Sequence, residues 1–199
     1  MTTPTSVIVV KVGGSLLDIP DLGNHLASWL KKLKRATLLV PGGGPLVDVL
    51  RELDRRHSLG ETTSHWLALR AMSISAQILS KLIPDSEIIH QKSSSWDRWV
   101  EGRVAILDAL EFARQDEGEP GCLPALWSVT SDSIAARAAN VLGAGELILL
   151  KSVDWDLERN YDAAEKQGVI DLYFRNLIRP HIPVRLVNFR RWIRETVSC

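Results

Sequence analysis

Val7, Ile8, Val9 and Val10 run without a polar break into Lys11-Val12-Gly13-Gly14-Ser15. A strand with one wet face alternates apolar and polar residues, so an unbroken β-branched run needs cover on both faces, as in a parallel sheet between helices. That stretch points the chain to an α/β fold. The strand then delivers a lysine into a glycine turn. Gly13 and Gly14 are expected to permit positive φ and a close backbone approach, letting amide N–H groups of the turn converge on an anion beside the Lys11 charge. The same letters also describe a lysine reaching for solvent beside an ordinary Gly-Gly turn, so the rest of the chain decides.

A second unit of the same kind follows. Leu22, Leu26, Trp29, Leu30 and Leu33 recur at helical spacing, with Lys31, Lys32, Lys34 and Arg35 towards the carboxyl end, where the helix dipole favours cations. Thr37 to Val40 reads as a strand opening into Pro41-Gly42-Gly43-Gly44-Pro45, with Pro45 at the first position of a helix that ends between His57 and Gly60. Thr62, Thr63 or Ser64 is expected to cap a long helix with Leu67, Ala71, Ile74 and Ile78 as its apolar stripe, closed by Pro84.

Glu87 to His90 and Val104 to Leu107 read as strands, and residues 92–99 between them as a surface loop or a flap anchored by Trp96 and Trp99. The acidic, glycine-bearing stretch from Gln115 to Pro120 suggests a boundary between lobes 1–118 and 119–199. Beyond it, Leu126 to Thr130 reads as a strand and Ser131 as an N-cap. Ile134, Ala138, Val141 and Leu142 form the expected buried stripe of a helix stopped at Gly143. Leu147 to Leu150 and Pro183 to Val187 are further strands, and Phe189 to Val197 a short basic helix. The expected architecture is a three-layer α/β/α sandwich around an open, mostly parallel sheet.

Lys plus Arg and Asp plus Glu number 24 each, so no global field favours nucleic acid or an anionic membrane, and any anion site must be local. No apolar run approaches the ~18 residues of a membrane helix, and the amino terminus lacks the pattern of a signal peptide. Cys122 and Cys199 have no metal-ligand spacing, which fits a reducing cytoplasm.

Three junctions, Lys11 to Ser15, Gly42 to Gly44 and Thr130 to Asp132, fall at carboxyl ends of expected strands, the edge where open α/β sheets bind ligands. They are expected to surround one ligand. Neither glycine stretch is a dinucleotide fingerprint, and no Walker-type loop is present. In order, Val9 to Ser15, Pro41 to Gly44, Thr130 to Ala136, and Leu142-Gly143-Ala144 with Leu147 to Asp154 resemble the successive motifs of the amino-acid kinase superfamily. Pro41 to Asp48, Ser64-His65 with Leu67 to Met72, Trp127 to Ser133, and Gly168 to Asp171 with Phe174 resemble its methanofuran-biosynthesis subfamily. Those kinases convert an aminomethyl-furan methyl phosphate to its diphosphate.

That resemblance implies a carbamate kinase-like fold, a homodimer, and ATP with magnesium carried by its phosphates rather than by a protein metal site. It implies Lys11 as the bridge to the transferring phosphoryl group and Asp132 as the residue that orients Lys11 or holds a magnesium-bound water. Gly13, Gly14 and Ser15 would cradle phosphate oxygens, with Lys151, Ser152 and Asp154 on the nucleotide. Gly42, Gly43, Gly44, His65, Thr130 and Ser131 would meet a small-molecule phosphate acceptor, with Arg70 a further candidate. Where the superfamily has Thr or Ser, Asp, a branched residue, Asp and Gly, this chain has Lys151-Ser152-Val153-Asp154-Trp155. Lys151 then reads as a second phosphate-facing cation and Trp155 as a group near adenine. Kinases for aspartate, glutamate, UMP or isopentenyl phosphate remain alternatives, as does a non-catalytic nucleotide- or oxyanion-binding protein of the same fold.

Overall fold

The computed structural model describes residues 7–90, 102–157 and 161–197. Strands β1 (Ile8–Val12), β2 (Thr37–Pro41), β3 (Glu87–Ile89), β4 (Val104–Leu107), β5 (Glu146–Lys151) and β6 (Val184–Asn188) form one sheet in the order β3-β4-β2-β1-β5-β6. Every pairing is parallel. Each residue of β1 and β2 is buried, the two-sided cover that the unbroken apolar run requires. Val9 points into one core, while Ile8, Val10 and Val12 point into the other.

Helices α1 (Leu22–Leu33) and α8 (Phe189–Val197) close one face. On the opposite face lie α4 (Ala109–Asp116), α5 (Ser131–Leu142), α6 (Tyr161–Lys166) and α7 (Phe174–Leu177). The long α3 (Glu61–Leu82) serves both, giving Leu69 and Met72 to one core and Ala76 and Leu79 to the other, and α2 (Gly44–His57) packs on it. This is the three-layer α/β/α sandwich.

Double service explains why α3 departs from its expected phase. Its apolar face turns from one layer to the next, so Ile74 and Ile78 are 48% and 43% exposed while Ala71 is buried and Leu67 half-buried. It also begins earlier than expected, behind Gly60 at φ +86°, so Thr62, Thr63 and Ser64 lie within its first turns rather than at the cap, and Ser64 and His65 are buried. On α5 the cap is Thr130 rather than Ser131, and Val141 reaches the surface. Pro45 is the second residue of α2, which starts at Gly44.

Leu126 to Thr130 is not a strand. Its backbone groups are taken by side chains: Glu61 accepts from Trp127 N at 2.7 Å, His65 Nδ1 meets the Leu126 carbonyl at 3.1 Å, and Asp171 accepts from Thr130 N at 3.0 Å. No sheet partner is left for it. The stretch is instead a strap laid across α3 towards α5. Helices α4, α6 and α7 are additions to the sequence reading, and residues 92–99 and Cys199 lie outside the described residues.

The glycine turns are tight for a steric reason. Gly13 has φ −56° and Gly14 is not among the positive-φ residues, contrary to expectation; in the two loops only Gly44 is, at φ +54°. Gly14 is required because the two loops cross there. A Cβ on Gly14 would sit 2.3 Å from Gly44 N and 2.6 Å from its Cα, both backbone atoms. Gly14→Ala should therefore force the loops apart, at a cost of roughly 1–3 kcal/mol for overpacking, read as a fall of several degrees in the thermal unfolding midpoint. An unchanged midpoint would mean that the crossing is loose.

Candidate active site

Parallel pairing brings the carboxyl ends of neighbouring strands to one edge. Lys11 pairs with Val40 of β2 and Leu149 of β5, so Gly42 and Lys151 each emerge two residues beyond that register on either side of it. The result is a cleft of about 760 Å³ whose lining includes Lys11, Gly14, Gly43, Asp132 and Lys151. All three junctions singled out in the sequence face this space.

At its floor two ammonium groups share one carboxylate. Lys11 Nζ lies 2.9 Å from Asp132 Oδ1 as an ion pair, and Lys151 Nζ donates a hydrogen bond to Oδ2 at 2.7 Å. The three side chains are only 6%, 5% and 13% exposed for Lys11, Asp132 and Lys151. Burial pushes the Asp132 carboxyl up, but the charges of Lys11 and Lys151 outweigh it and hold the group below the usual carboxylate range. The Lys151 pKa is lowered too, here against the charged form. Burial first, and then the neighbouring Lys11 charge, bring it down to about 8 despite Asp132. With both lysines charged the cluster carries one net positive charge against the cleft.

Asp132 owes its place to Asp171. The Asp171 carboxylate accepts from Thr130 N and Ser133 N, each at 3.0 Å, and from Thr130 Oγ1 at 2.7 Å. It also accepts from Ser133 Oγ and from Tyr173 N and Phe174 N. Thr130 Oγ1 in turn receives Asp132 N at 3.4 Å. One carboxylate from outside the helix thus fixes the first turn of α5 and starts α7, doing for both what a local N-cap does for one. In the sequence Asp171 carries no signal of this role beyond being an acidic residue just before Phe174.

Of the other expected site residues, Ser15, Gly42 and Gly44 line the cleft on the strand side and His65, Thr130 and Ser131 on the helix side. Gly14 and Ser15 open a short 3-10 turn, Gly14–Leu16, whose first N–H groups have no acceptor within the turn. Gly13 is different: its N–H is given to the Leu150 carbonyl at 2.9 Å, so it ties β1 to β5. Ser152 does not line the cleft and instead meets Ser15 Oγ at 3.2 Å. Asp154 stands in a separate groove of about 240 Å³ with Trp155 and Trp192. There it pairs with Arg191 at 2.7 Å and accepts from Asn188 Nδ2 at 3.0 Å.

Arg70 is exposed and off the cleft. Trp127 and Arg190 are among the further lining residues that the sequence does not single out, Arg190 donating to the Ser15 carbonyl at 2.6 Å and reaching Asp18. Neither stands in a recognisable spacing. No helix of the described residues is long and apolar enough to cross a membrane.

The sequence is 25% identical over 149 residues to the [5-(aminomethyl)furan-3-yl]methyl phosphate kinase of Methanocaldococcus jannaschii, a match covering 73% of this chain and 66% of that protein. The fold is similar to UMP kinase from Ureaplasma parvum, with TM-score 0.64 and 19% identity over 98% of this chain and 95% of that one. It is similar as well to UMP kinase from Bacillus anthracis, with TM-score 0.65 and 16% identity over 99% and 94%. For uridylate kinase from Archaeoglobus fulgidus the values are 0.62 and 18% over 96% and 95%. At such identities these structures speak for the fold. The sequence profile of the amino acid kinase family matches residues 6–155, three quarters of the chain, and the protein accordingly belongs to that family of phosphotransferases.

Proposed function

We propose that the protein is an ATP-dependent kinase that phosphorylates a small phosphate ester, with [5-(aminomethyl)furan-3-yl]methyl phosphate as the foremost candidate acceptor. The observation that carries this reading is the pair of buried ammonium groups on Asp132 at the meeting point of two glycine loops. Phosphoryl transfer through a loose transition state asks for alignment and for cations and N–H donors around the equatorial oxygens, not for a protein nucleophile. Lys11 and Lys151 supply the cations. Gly14 and Ser15 supply N–H groups, and the glycines at 42–44 let the acceptor approach the backbone.

An oxygen of the acceptor phosphate attacks the γ-phosphorus, the bond from that phosphorus to the bridging oxygen breaks, and ADP departs with the electron pair. Because the attacking oxygen is already anionic, no strong general base is required. Asp132 positions both lysines and offsets part of their mutual repulsion. Residues 1–118 then hold the acceptor with help from Thr130 and Ser131, and residues 119–199 hold the nucleotide. The ribose and base are assigned to the groove of Asp154 and Trp155. No cluster of three or more carboxylate, histidine or cysteine side chains suited to a metal occurs among the described residues. By the family resemblance, magnesium is assigned to the nucleotide's phosphates and the enzyme to the cytoplasm.

A second reading, a non-catalytic nucleotide- or oxyanion-binding protein, draws support from Asp154, which is engaged by Arg191 and Asn188. Turnover separates the two. Lys11→Met should keep the fold by circular dichroism yet lower ATP-dependent phosphorylation of the furan phosphate by about 10²–10³-fold, the loss typical of one preorganised transition-state donor. Unchanged turnover would remove Lys11 from the chemistry; ATP binding without turnover by the wild type, on this ester or on UMP, would favour the second reading.

The depressed Lys151 sets a pH dependence. In the free enzyme kcat/KM for ATP should fall as pH rises through about 8, where Lys151 loses its proton, and Lys151→Arg should shift that limb upward. Stability responds with the opposite sign. The unfolded chain, with an ordinary lysine, binds more protons between about 8 and 10.5, so this group makes stability rise with pH across that window.

A homodimer is also proposed. Ile74, Ile78 and Leu82 follow at four-residue spacing along α3, and Val49 and Leu53 lie on the packed α2; all are at least 39% exposed. Sedimentation should give a dimer for the wild type and a monomer for Ile78→Asp. Identical behaviour of the two would place any interface elsewhere.

A further inference from the structure

The cleft has two unlike ends. The floor beneath Lys11 and Lys151 suits phosphate, but towards α2 and α3 the wall changes character: Leu69, Met72 and Val129 are buried apolar residues that border it. The polar groups bordering that part, Trp127, His65 and Arg51, are each already committed in a way that fixes what they can offer a ligand.

Trp127 is clamped from three sides. Its Nε1 donates to Asp54 Oδ2 at 2.7 Å, its backbone N to Glu61 Oε2 at 2.7 Å, and the Arg51 guanidinium lies 5.9 Å from the ring centroid. A strap with no regular structure would leave an indole free to turn. These bonds to α2 and α3 hold the ring plane, so Trp127 presents a fixed aromatic surface rather than a polar handle. Arg51 is held between Asp48, at 2.6 Å, and that ring.

His65 is 5% exposed and borders both the main cleft and a cavity of about 80 Å³ behind it. Its Nδ1 faces the Leu126 carbonyl at 3.1 Å; a carbonyl can only accept, so the proton is on Nδ1. Burial lowers the pKa of the ring, against the smaller upward pull of that carbonyl, and keeps it neutral near pH 7. Among the described residues Nε2 has no partner, and in this tautomer it is an acceptor only. A neutral ring with a lone pair is a poor site for phosphate and a good one for an N–H.

We propose that Trp127 and His65 determine acceptor specificity, selecting a phosphate monoester whose organic part is a planar ring bearing an amine. The ring lies against Trp127 over Leu69 and Met72, the amine donates to His65 Nε2, and the phosphate points to the two lysines. This rests on the kinase reading and extends it, since it assigns recognition to two side chains that touch neither nucleotide nor transferring phosphate.

The test uses the full chain and three esters: [5-(aminomethyl)furan-3-yl]methyl phosphate, benzyl phosphate, which has a ring without an amine, and isopentenyl phosphate, which has neither. Calorimetric Kd in the presence of ADP, together with acceptor KM and kcat, should rank them in that order. Trp127→Leu should weaken both ring esters by roughly 5–10-fold and bring benzyl towards isopentenyl phosphate. Trp127→Phe, which keeps a plane, should retain the order. His65→Phe should remove the preference for the amine, with ATP-induced thermal stabilisation preserved in all three variants.

Equal binding of the three esters by the wild type, binding of none, or an unaltered ranking in folded Trp127→Leu and His65→Phe would each overturn the proposal. Should Trp127→Leu not fold, the wild-type ranking and the His65 variant still decide. Ranked binding without phosphorylation of any ester would count against the kinase reading while supporting this one. Phosphorylation without ranking would do the reverse.

Discussion

Everything at the cleft depends on a carboxylate that is buried with two ammonium groups. Removing three ions from water is expensive, and such a cluster persists only if its geometry is good and its remaining charge finds compensation. Asp132 satisfies both lysines, one on each oxygen. One positive charge is left over. The cluster tolerates this because it opens onto the cleft, where solvent or an anion can answer it. A buried salt bridge here is therefore less a source of stability than a means of holding two cations at a fixed spacing.

The placement of that carboxylate follows from the sheet. Three adjacent parallel strands, β2, β1 and β5, end at one edge and carry the glycine loop, Lys11 and Lys151, while α5 crosses the same edge with Asp132 in its first turn. Its run of alanines, all buried, lets it lie close to β1 and β2. Close approach is also what the glycines provide. Gly14 and Gly44 touch backbone to backbone, and any side chain at either would separate the two walls of the cleft.

Much of this was legible from residue order. A β-branched run, a lysine and two glycines announce a strand and its loop without knowledge of their neighbours, and Lys11, Gly43, Asp132 and Lys151 all face one space as that reading requires. The misreadings share a cause, which is that local pattern cannot say which partner a group will find. Leu126 to Thr130 has the composition of a strand, yet its backbone is claimed by Glu61, His65 and Asp171. Ile74 and Ile78 have the spacing of a core face, yet α3 serves two layers and turns them outward. Gly13 looks like a phosphate donor until the Leu150 carbonyl takes its N–H. Asp171 reaches α5 through Ser133, 38 residues away along the chain, and Trp127 is held by Glu61, 66 residues away, and no periodicity carries such information.

The lowered pKa of Lys151 follows from the composition of the cluster. With one carboxylate for two lysines, the protonated form of Lys151 is opposed both by burial and by Lys11, and its proton is held near neutrality only weakly. A polyphosphate entering the cleft reverses that balance, since each added negative charge favours the ammonium form. By linkage, whatever favours the proton on Lys151 is itself favoured by that proton, so ligand binding and protonation support each other. A second carboxylate here would neutralise the cluster and repel an anion. On the kinase reading, the missing negative charge is the feature that suits this floor to an anion, and Asp171, by fixing the helix that bears the single carboxylate present, keeps that deficit at the cleft.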